Sequence, residues 1–197
     1  DPTLLEILSL GSEPSKVTKH FQSGLFDSVT KVSFDKDDPF KMLDMSSQQG
    51  EVVRFQREGP DGFLVDSEVT ISGNIETWLQ KLVDGMQSTI KCVIKHAHDE
   101  VQGIDEDKLE DFIFTQPAQI ALLGIQFLWT SDMQHAIAEA KTDKAIRKKT
   151  MAKTDGYLKR MIAITTKDTL GKNDRKNLET CITVHVHQRD TSEALLV

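Results

Sequence analysis

A chain of 197 residues carries 24 Lys and Arg against 31 Asp and Glu, a formal net charge of −7 at pH 7 with histidine neutral. With no basic stripe, that balance argues against a nucleic-acid surface and has the wrong sign for an anionic membrane. An apolar fraction of 38% is ordinary for a water-soluble chain, and the length fits one large domain or two small ones.

The N-terminal third mixes periods. Asp1 is placed to cap a short helix with Pro2 at its first position. Leu4, Leu5, Ile7 and Leu8 give that helix an apolar face, and Gly11 stops it. A second helix starts near Pro14, entered at Ser12 or Glu13, and Val17, Phe21 and Leu25 mark its buried side. From Phe26 the period changes. Residues 29–34 are short and β-branched and read as a strand, and 35–39 are turn chemistry. Residues 42–45 and 51–55 flank a polar loop as a β-hairpin, with Gly50 in the turn. Residues 56–62 are polar and broken by Gly59-Pro60, while 63–65 and 68–71 read as a further ribbon or a loop. The expectation is a small antiparallel β element over about residues 29–72.

The rest reads as a bundle of long helices, which makes the fold class mainly α. Asn74 is an N-cap, Glu76 suits the positive first turn, and Ile75, Trp78, Leu79, Leu82, Met86, Ile90, Val93, Ile94 and Ala97 keep a three-four spacing. That helix ends around 98–103. An acidic linker, 105–111, leads through Phe112, Ile113 and Phe114 to a central helix over 117–140. Pro117 suits a helix start. Apolar residues from Ile120 to Trp129 cover nearly all sides, so this segment is expected to be wrapped in protein. It is too short and too interrupted to span a bilayer. Met133 and Ile137 continue one apolar stripe. The next helix carries Ala145, Ile146, Met151, Leu158, Met161, Ile162 and Thr165, with Gly156 a weak point. After a break at Gly171 and Asn173, a last helix runs from 174 to the end through Leu178, Cys181, Ile182, His185 and Arg189. Within it, 182–187 alternate like a strand, yet the flanks favour helix. Trp78, Leu82, Ile120, Leu123, Phe127 and Trp129 are the candidate core.

Motifs for chemistry are sparse. A phosphate-cradling loop would need Gly where Thr166 stands and Ser or Thr where Asn173 follows Gly171-Lys172, so ATP binding within this chain is not expected. His96 with His98, and His185 with His187, could share a metal on a strand, but on a helix the rings diverge by about 200°. No third ligand is evident near either pair. The carboxylates of 106–111 lack the glycine and spacing of a calcium loop. Cys92 and Cys181 lie in apolar helical patterns and read as free structural thiols rather than a disulfide. The basic run 144–149 is a wetted face or a dock for an acidic partner. The chain opens Asp1-Pro2 without a methionine or signal peptide and closes on an apolar Leu195-Leu196-Val197, so it is expected to be a piece of a longer polypeptide.

Four spaced stretches resemble the dynein heavy chain, in the C-terminal half of its linker. Leu4-Leu-Glu-Ile-Leu8, with His20-Phe21 and Phe26-Asp27, resembles the opening motif. Gly73-Asn-Ile-Glu-Thr-Trp-Leu79 resembles the linker's Gly-Asn-Val-Glu-x-Trp-Leu helix start. Pro117-Ala-Gln-Ile running into Gln126-Phe-Leu-Trp-Thr130 resembles its Pro-x-Gln-Val…Gln-x-x-Trp-Thr helix. The run from Leu178 through Val186-His187-Gln188-Arg189-Asp190 resembles the segment shortly before the first AAA+ module. Leu122-Leu-Gly-Ile-Gln126 and 186–190 look most like axonemal outer-arm heavy chains of the gamma type. The departure is 56–72, where the family has a shorter link. The resemblance implies a linker fragment over 1–197 with helices over 2–25, a β element over 29–72 and a bundle over 73–197. It implies a non-catalytic mechanical lever, with ATP and magnesium held by the AAA+ ring of the parent and no cofactor in this chain. The implied partners are that ring and the remaining linker, and through the full chain other dynein-arm subunits and microtubules, in the axoneme of a cilium or flagellum. His187, Gln188, Arg189 and Asp190 become the candidate contact with the ring. The rivals are a free-standing helical adaptor binding a partner through the basic helix, and a metal-dependent enzyme built on the histidine pairs.

Overall fold

The computed structural model describes residues 2–11, 13–140, 143 and 145–196. Asp1, Ser12 and Lys144, which the sequence reading used as a cap, a helix entry and the start of the basic run, lie outside the described residues. The fold is mainly α with a small antiparallel β element, as the periodicities indicate. The chain divides into two compact units, Asp1–Lys95 and His96–Val197.

The first unit opens with α1 (Pro2–Ser9) and α2 (Pro14–Val17), the latter winding on through 3₁₀ and π turns to Leu25. Ile7, Val17 and Phe21 are buried, but Leu5 and Leu8 of the expected apolar face of α1 are 69% and 42% exposed. Strand β1 (Val29–Phe34) pairs antiparallel with β2 (Lys41–Ser47), which also pairs with β3 (Val52–Arg54) and β6 (Val69–Thr70). The β2–β3 turn uses Gly50 at φ 87°, where a Cβ would be strained. The segment 56–62 was read as broken and polar, yet β4 (Gln56–Glu58) pairs with β5 (Leu64–Asp66). The ribbon is therefore 56–58 with 64–66, and Gly59-Pro60 forms its turn rather than a break.

The first part of α3 (Ile75–Val101) belongs with this sheet. Asn74 caps it, its Oδ1 accepting the Thr77 N–H at 3.1 Å. Trp78 and Leu82 are fully buried among Met42, Phe55, Ile71 and Ile75. A Cβ at Gly85 would lie 2.4 Å from Val69 Cγ2, so the glycine lets helix and strand close up. One turn on, Thr89 Oγ1 accepts the Gln56 N–H at 3.1 Å. Phe55 sits at that junction, giving its own N–H to Leu43 O and accepting the Ser67 N–H.

The second unit begins at His96 within the last turns of α3, which end before Gly103 at φ 69°. The acidic stretch is not a linker: a 3₁₀ turn, Glu106–Lys108, opens α4 (Leu109–Thr115). Next come α5 (Ala118–Glu139), α6 (Ile146–Thr165) and α7 (Lys172–Leu196), so residues 182–187 are helical and the flanks prevail over local alternation. The helix α5 is not wrapped on all sides. Ile120, Ala121, Gly124, Ile125, Leu128, Met133 and Ala136 are buried, while Leu123, Phe127 and Trp129 are half-buried and Ile137 is 52% exposed. Its neighbours cover one side, so apolar residues elsewhere on the helix meet solvent. Ile162 of α6 likewise points outward. Among the described residues no helix is long and apolar enough to cross a membrane.

Two glycines separate packing from propensity. A Cβ at Gly124 would come within 2.3 Å of Cζ of the buried Phe112 ring, whereas at Gly156 it would meet only the Glu106 carboxylate. Gly124→Ala is expected to destabilise the fold by about 1–3 kcal/mol through overpacking. Gly156→Ala is expected to be neutral or stabilising by up to ~1 kcal/mol, because the glutamate swings away and alanine favours helix. Chemical denaturation of both variants checks the contrast in sign.

Candidate functional site

The residues with the most specific geometry lie where α6 meets α7. On α6, Thr150, Thr154, Tyr157, Met161 and Ile164 are buried. On α7, Leu178, Cys181, His185, Gln188 and Ser192 are buried. Both sets step by three and four residues, the stripe of a helix packed along its length. Arg175 Nη1 donates to Thr165 O at 2.7 Å near one end, and His185 Nε2 lies 3.0 Å from Thr154 O further along. Those two contacts make the helices antiparallel. Each stripe is apolar toward the α6–α7 loop and polar away from it, so Met161 and Ile164 share the seam with Leu178 and Cys181, and Thr154 and Tyr157 share it with His185.

The polar half is closely hydrogen-bonded. Trp129 Nε1 on α5 donates to Ser192 Oγ at 2.8 Å, and Ser192 Oγ donates to Gln188 O at 2.8 Å. Tyr157 OH donates to Ile104 O at 2.6 Å, with its ring edge-on to His185 at 6.4 Å between centroids. His185 Nδ1 lies 2.9 Å from the Gln188 side-chain amide. Thr154 O only accepts, so Nε2 carries a proton. Burial lowers the His185 pKa from 6.5, opposed by the bonds to Thr154 and Gln188. The ring is then neutral near pH 7, with Gln188 Oε1 facing Nδ1 and Thr154 O facing Nε2.

Burial pushes the Cys181 thiol up to about 11 and raises the Tyr157 phenol as well. Near pH 7 these groups are uncharged, which suits a packed seam better than a nucleophile. Charge collects around it: Lys153 Nζ meets Asp132 Oδ1 at 2.8 Å, and Glu110 receives Lys167 at 2.7 Å and Arg160 at 3.6 Å. Among the described residues no three His, Cys, Asp or Glu side chains converge to hold a metal ion. On α7, His185 is inward and His187 outward.

The residues singled out from sequence are dispersed. Trp78 and Leu82 lie in the first unit, and Ile120, Leu123, Phe127 and Trp129 in the second. Phe127 meets His98 edge-on at 5.1 Å and lines a shallow cleft of about 250 Å³ with His98, Gln102, Thr130, Ser131 and Gln134. Of the four candidate contact residues, His187 and Asp190 are exposed and Arg189 is half-buried, held by Asp190 at 2.7 Å. Gln188 is 5% exposed and turned toward His185, so it is withdrawn as an exposed contact. Sequence reading passed over Thr150, Thr154, Tyr157 and Ser192, because it counted only apolar residues as core.

Comparison with known proteins gives a consistent picture. Residues 1–97 match a family model described as "Dynein heavy chain, N-terminal region 2". Over 195 residues the chain is 50% identical to the flagellar outer-arm dynein gamma chain of Chlamydomonas reinhardtii, an alignment covering 99% of this chain and 4% of that protein. It is 38% identical over 195 residues to dynein axonemal heavy chain 5 of Mus musculus, again 99% of this chain and 4% of that one. It is 34% identical over 196 residues to dynein axonemal heavy chain 8 of Homo sapiens, 100% of this chain and 4% of that one. The chain thus spans about one twenty-fifth of these relatives.

The buried imidazole gives a signed pH dependence. Above its ordinary value of 6.5 the folded and unfolded chains both hold His185 neutral. As pH falls below that value the unfolded chain takes up a proton that the folded site resists, so stability is lost down to the lowered folded value. The slope is at most about 1.4 kcal/mol per pH unit. Denaturation midpoints measured from about pH 7.5 to 5.5 should fall less steeply in His185→Gln, which keeps a donor for Thr154, than in the parent. Equal slopes would remove His185 from the account.

Proposed function

The chain belongs to the dynein heavy chains, and on that premise we propose that it is a non-catalytic segment of the linker, the mechanical lever of an axonemal motor. The observation that carries this reading is the α6–α7 seam. A lever must pass displacement along its length without its helices sliding. Sliding α6 past α7 by one turn, ~5.4 Å, would part the buried His185 Nε2 from the Thr154 carbonyl, the bond that crosses between the two helices at this point. Each buried group left unpaired costs about 1–3 kcal/mol. Close-packed apolar contacts on the rest of the seam resist bending in the same sense, since dense interiors have few alternative arrangements.

On this reading nucleotide turnover belongs to the AAA+ ring elsewhere in the heavy chain, and the segment carries neither ATP nor magnesium. It works in the axoneme of a cilium or flagellum, in an outer dynein arm. It acts with the ring and the remaining linker, and through the full chain with other arm subunits and microtubules. His187, Arg189 and Asp190 remain the α7 side chains open to a ring contact.

The test is a full-length heavy chain carrying His185→Pro, which breaks α7 in the seam. Microtubule gliding is expected to slow severalfold or more, while nucleotide affinity of the motor changes less than twofold. Undiminished gliding, or lost nucleotide binding in a motor whose ring is normally folded, would contradict the proposed division of labour.

A further inference from the structure

The outer face of α6 is organised in a way that the seam does not require. Lys148, Ala152, Asp155, Lys159, Ile162 and Ala163 fall within about 60° of one line along the helix, opposite its buried side. Lys148, Ala152, Lys159 and Ala163 are exposed, and Ile162 is 48% exposed. The pairs Lys148/Lys159 and Ala152/Ala163 repeat at the same interval of three turns, which keeps a ridge nearly straight on an α-helix. Three neighbouring cations on this helix have carboxylate partners: Lys149 with Asp143, Lys153 with Asp132 and Arg160 with Glu110. Among the described residues Lys148 and Lys159 have none. The one carboxylate on the ridge, Asp155, is within electrostatic reach of Arg189, which offsets it.

We propose that this ridge docks an acidic amphipathic helix contributed by another part of the same heavy chain. Two ammonium groups roughly 16 Å apart call for two carboxylates three turns apart on the partner. Ile162 between small residues calls for an apolar side chain between those carboxylates. On a molecule of net charge −7 such an unpaired cationic ridge stands out against its surroundings. Size decides the source. Two exposed ion pairs each shift an equilibrium by about fivefold or less, and one half-exposed isoleucine adds little, so a free partner would not stay bound. A tethered one would, because a segment of the same polypeptide is present at an effective concentration near the millimolar range. This chain is about 4% of its relatives' length, so that polypeptide offers ample surface. The contact is weak, reversible and salt-sensitive. It does not rest on the lever reading, since a heavy chain with freely bending helices would still dock here.

Carbodiimide coupling of the intact heavy chain at low salt, followed by peptide mass spectrometry, tests it. Isopeptide links are expected from Lys148 and Lys159 to Asp or Glu outside residues 1–197 of the same polypeptide, the two acceptors about 11 residues apart. Ile162→Asp keeps both lysines and changes an exposed position, so circular dichroism should be unaltered while link yield falls tenfold or more. Links that are absent, confined to residues 1–197, made only to a different polypeptide, or undiminished in Ile162→Asp would each overturn the proposal.

Discussion

A neutral imidazole held between two helices sets the terms for everything packed around it. Each ring nitrogen of His185 faces a single partner, Nε2 the Thr154 carbonyl and Nδ1 the Gln188 Oε1. Neither partner tolerates displacement, because hydrogen bonds weaken steeply with angle and stretch. Ser192 then ties α7 to Trp129 of α5, and Tyr157 ties α6 to Ile104 ahead of α4. The polar inlay adds little net stability compared with leucines in the same stripe, since desolvation offsets most of each bond. Its contribution is alignment. An apolar seam accepts several offsets at similar energy, whereas this one is satisfied at one.

The first unit solves its alignment problem with sterics and one hydroxyl. Gly85 allows Val69 to approach the helix surface closely, and Thr89 catches the backbone of Gln56 one turn later. Between them Phe55 is buried where β3 gives way to β4. A larger residue at Gly85 would lift the helix from the strand, and loss of Thr89 would leave the Gln56 N–H short of a partner. Both units therefore fix helix position by matching a few polar or small residues to one geometry and let apolar burial supply the bulk of the stability.

Much of the architecture was legible in the chain because long helices announce themselves through period. The three-four spacing from Ile75 to Ala97, the Asn74 cap and the Gly50 turn all sit where that reasoning puts them. Residues 182–187 show why flanks matter: a short β-like alternation cannot leave a helix whose other positions all pack. The misses share one cause. The β4–β5 ribbon is short and its first strand is polar, so no apolar alternation marks it, and the Ser67 to Phe55 bond continues its pairing by one step. The threonines, tyrosine and serine of the seam were invisible to a count of apolar side chains. Ile137 reads from hydrophobicity as part of the Met133 stripe, although helix phase turns it outward.

On the proposed reading the aligned helical seam of this dynein heavy chain segment is the transmitting part, stiff where its buried polar groups coincide. The claim that the polar half of the seam is as firmly fixed as the apolar half is most directly tested by native-state hydrogen exchange on the intact heavy chain. The account predicts that amides of 150–164 and 178–192 open together, with free energies within about 1 kcal/mol of one another. Opening of 150–157 and 185–192 several kcal/mol more easily than the Met161–Cys181 end would show the inlay to be a weak point and would contradict it.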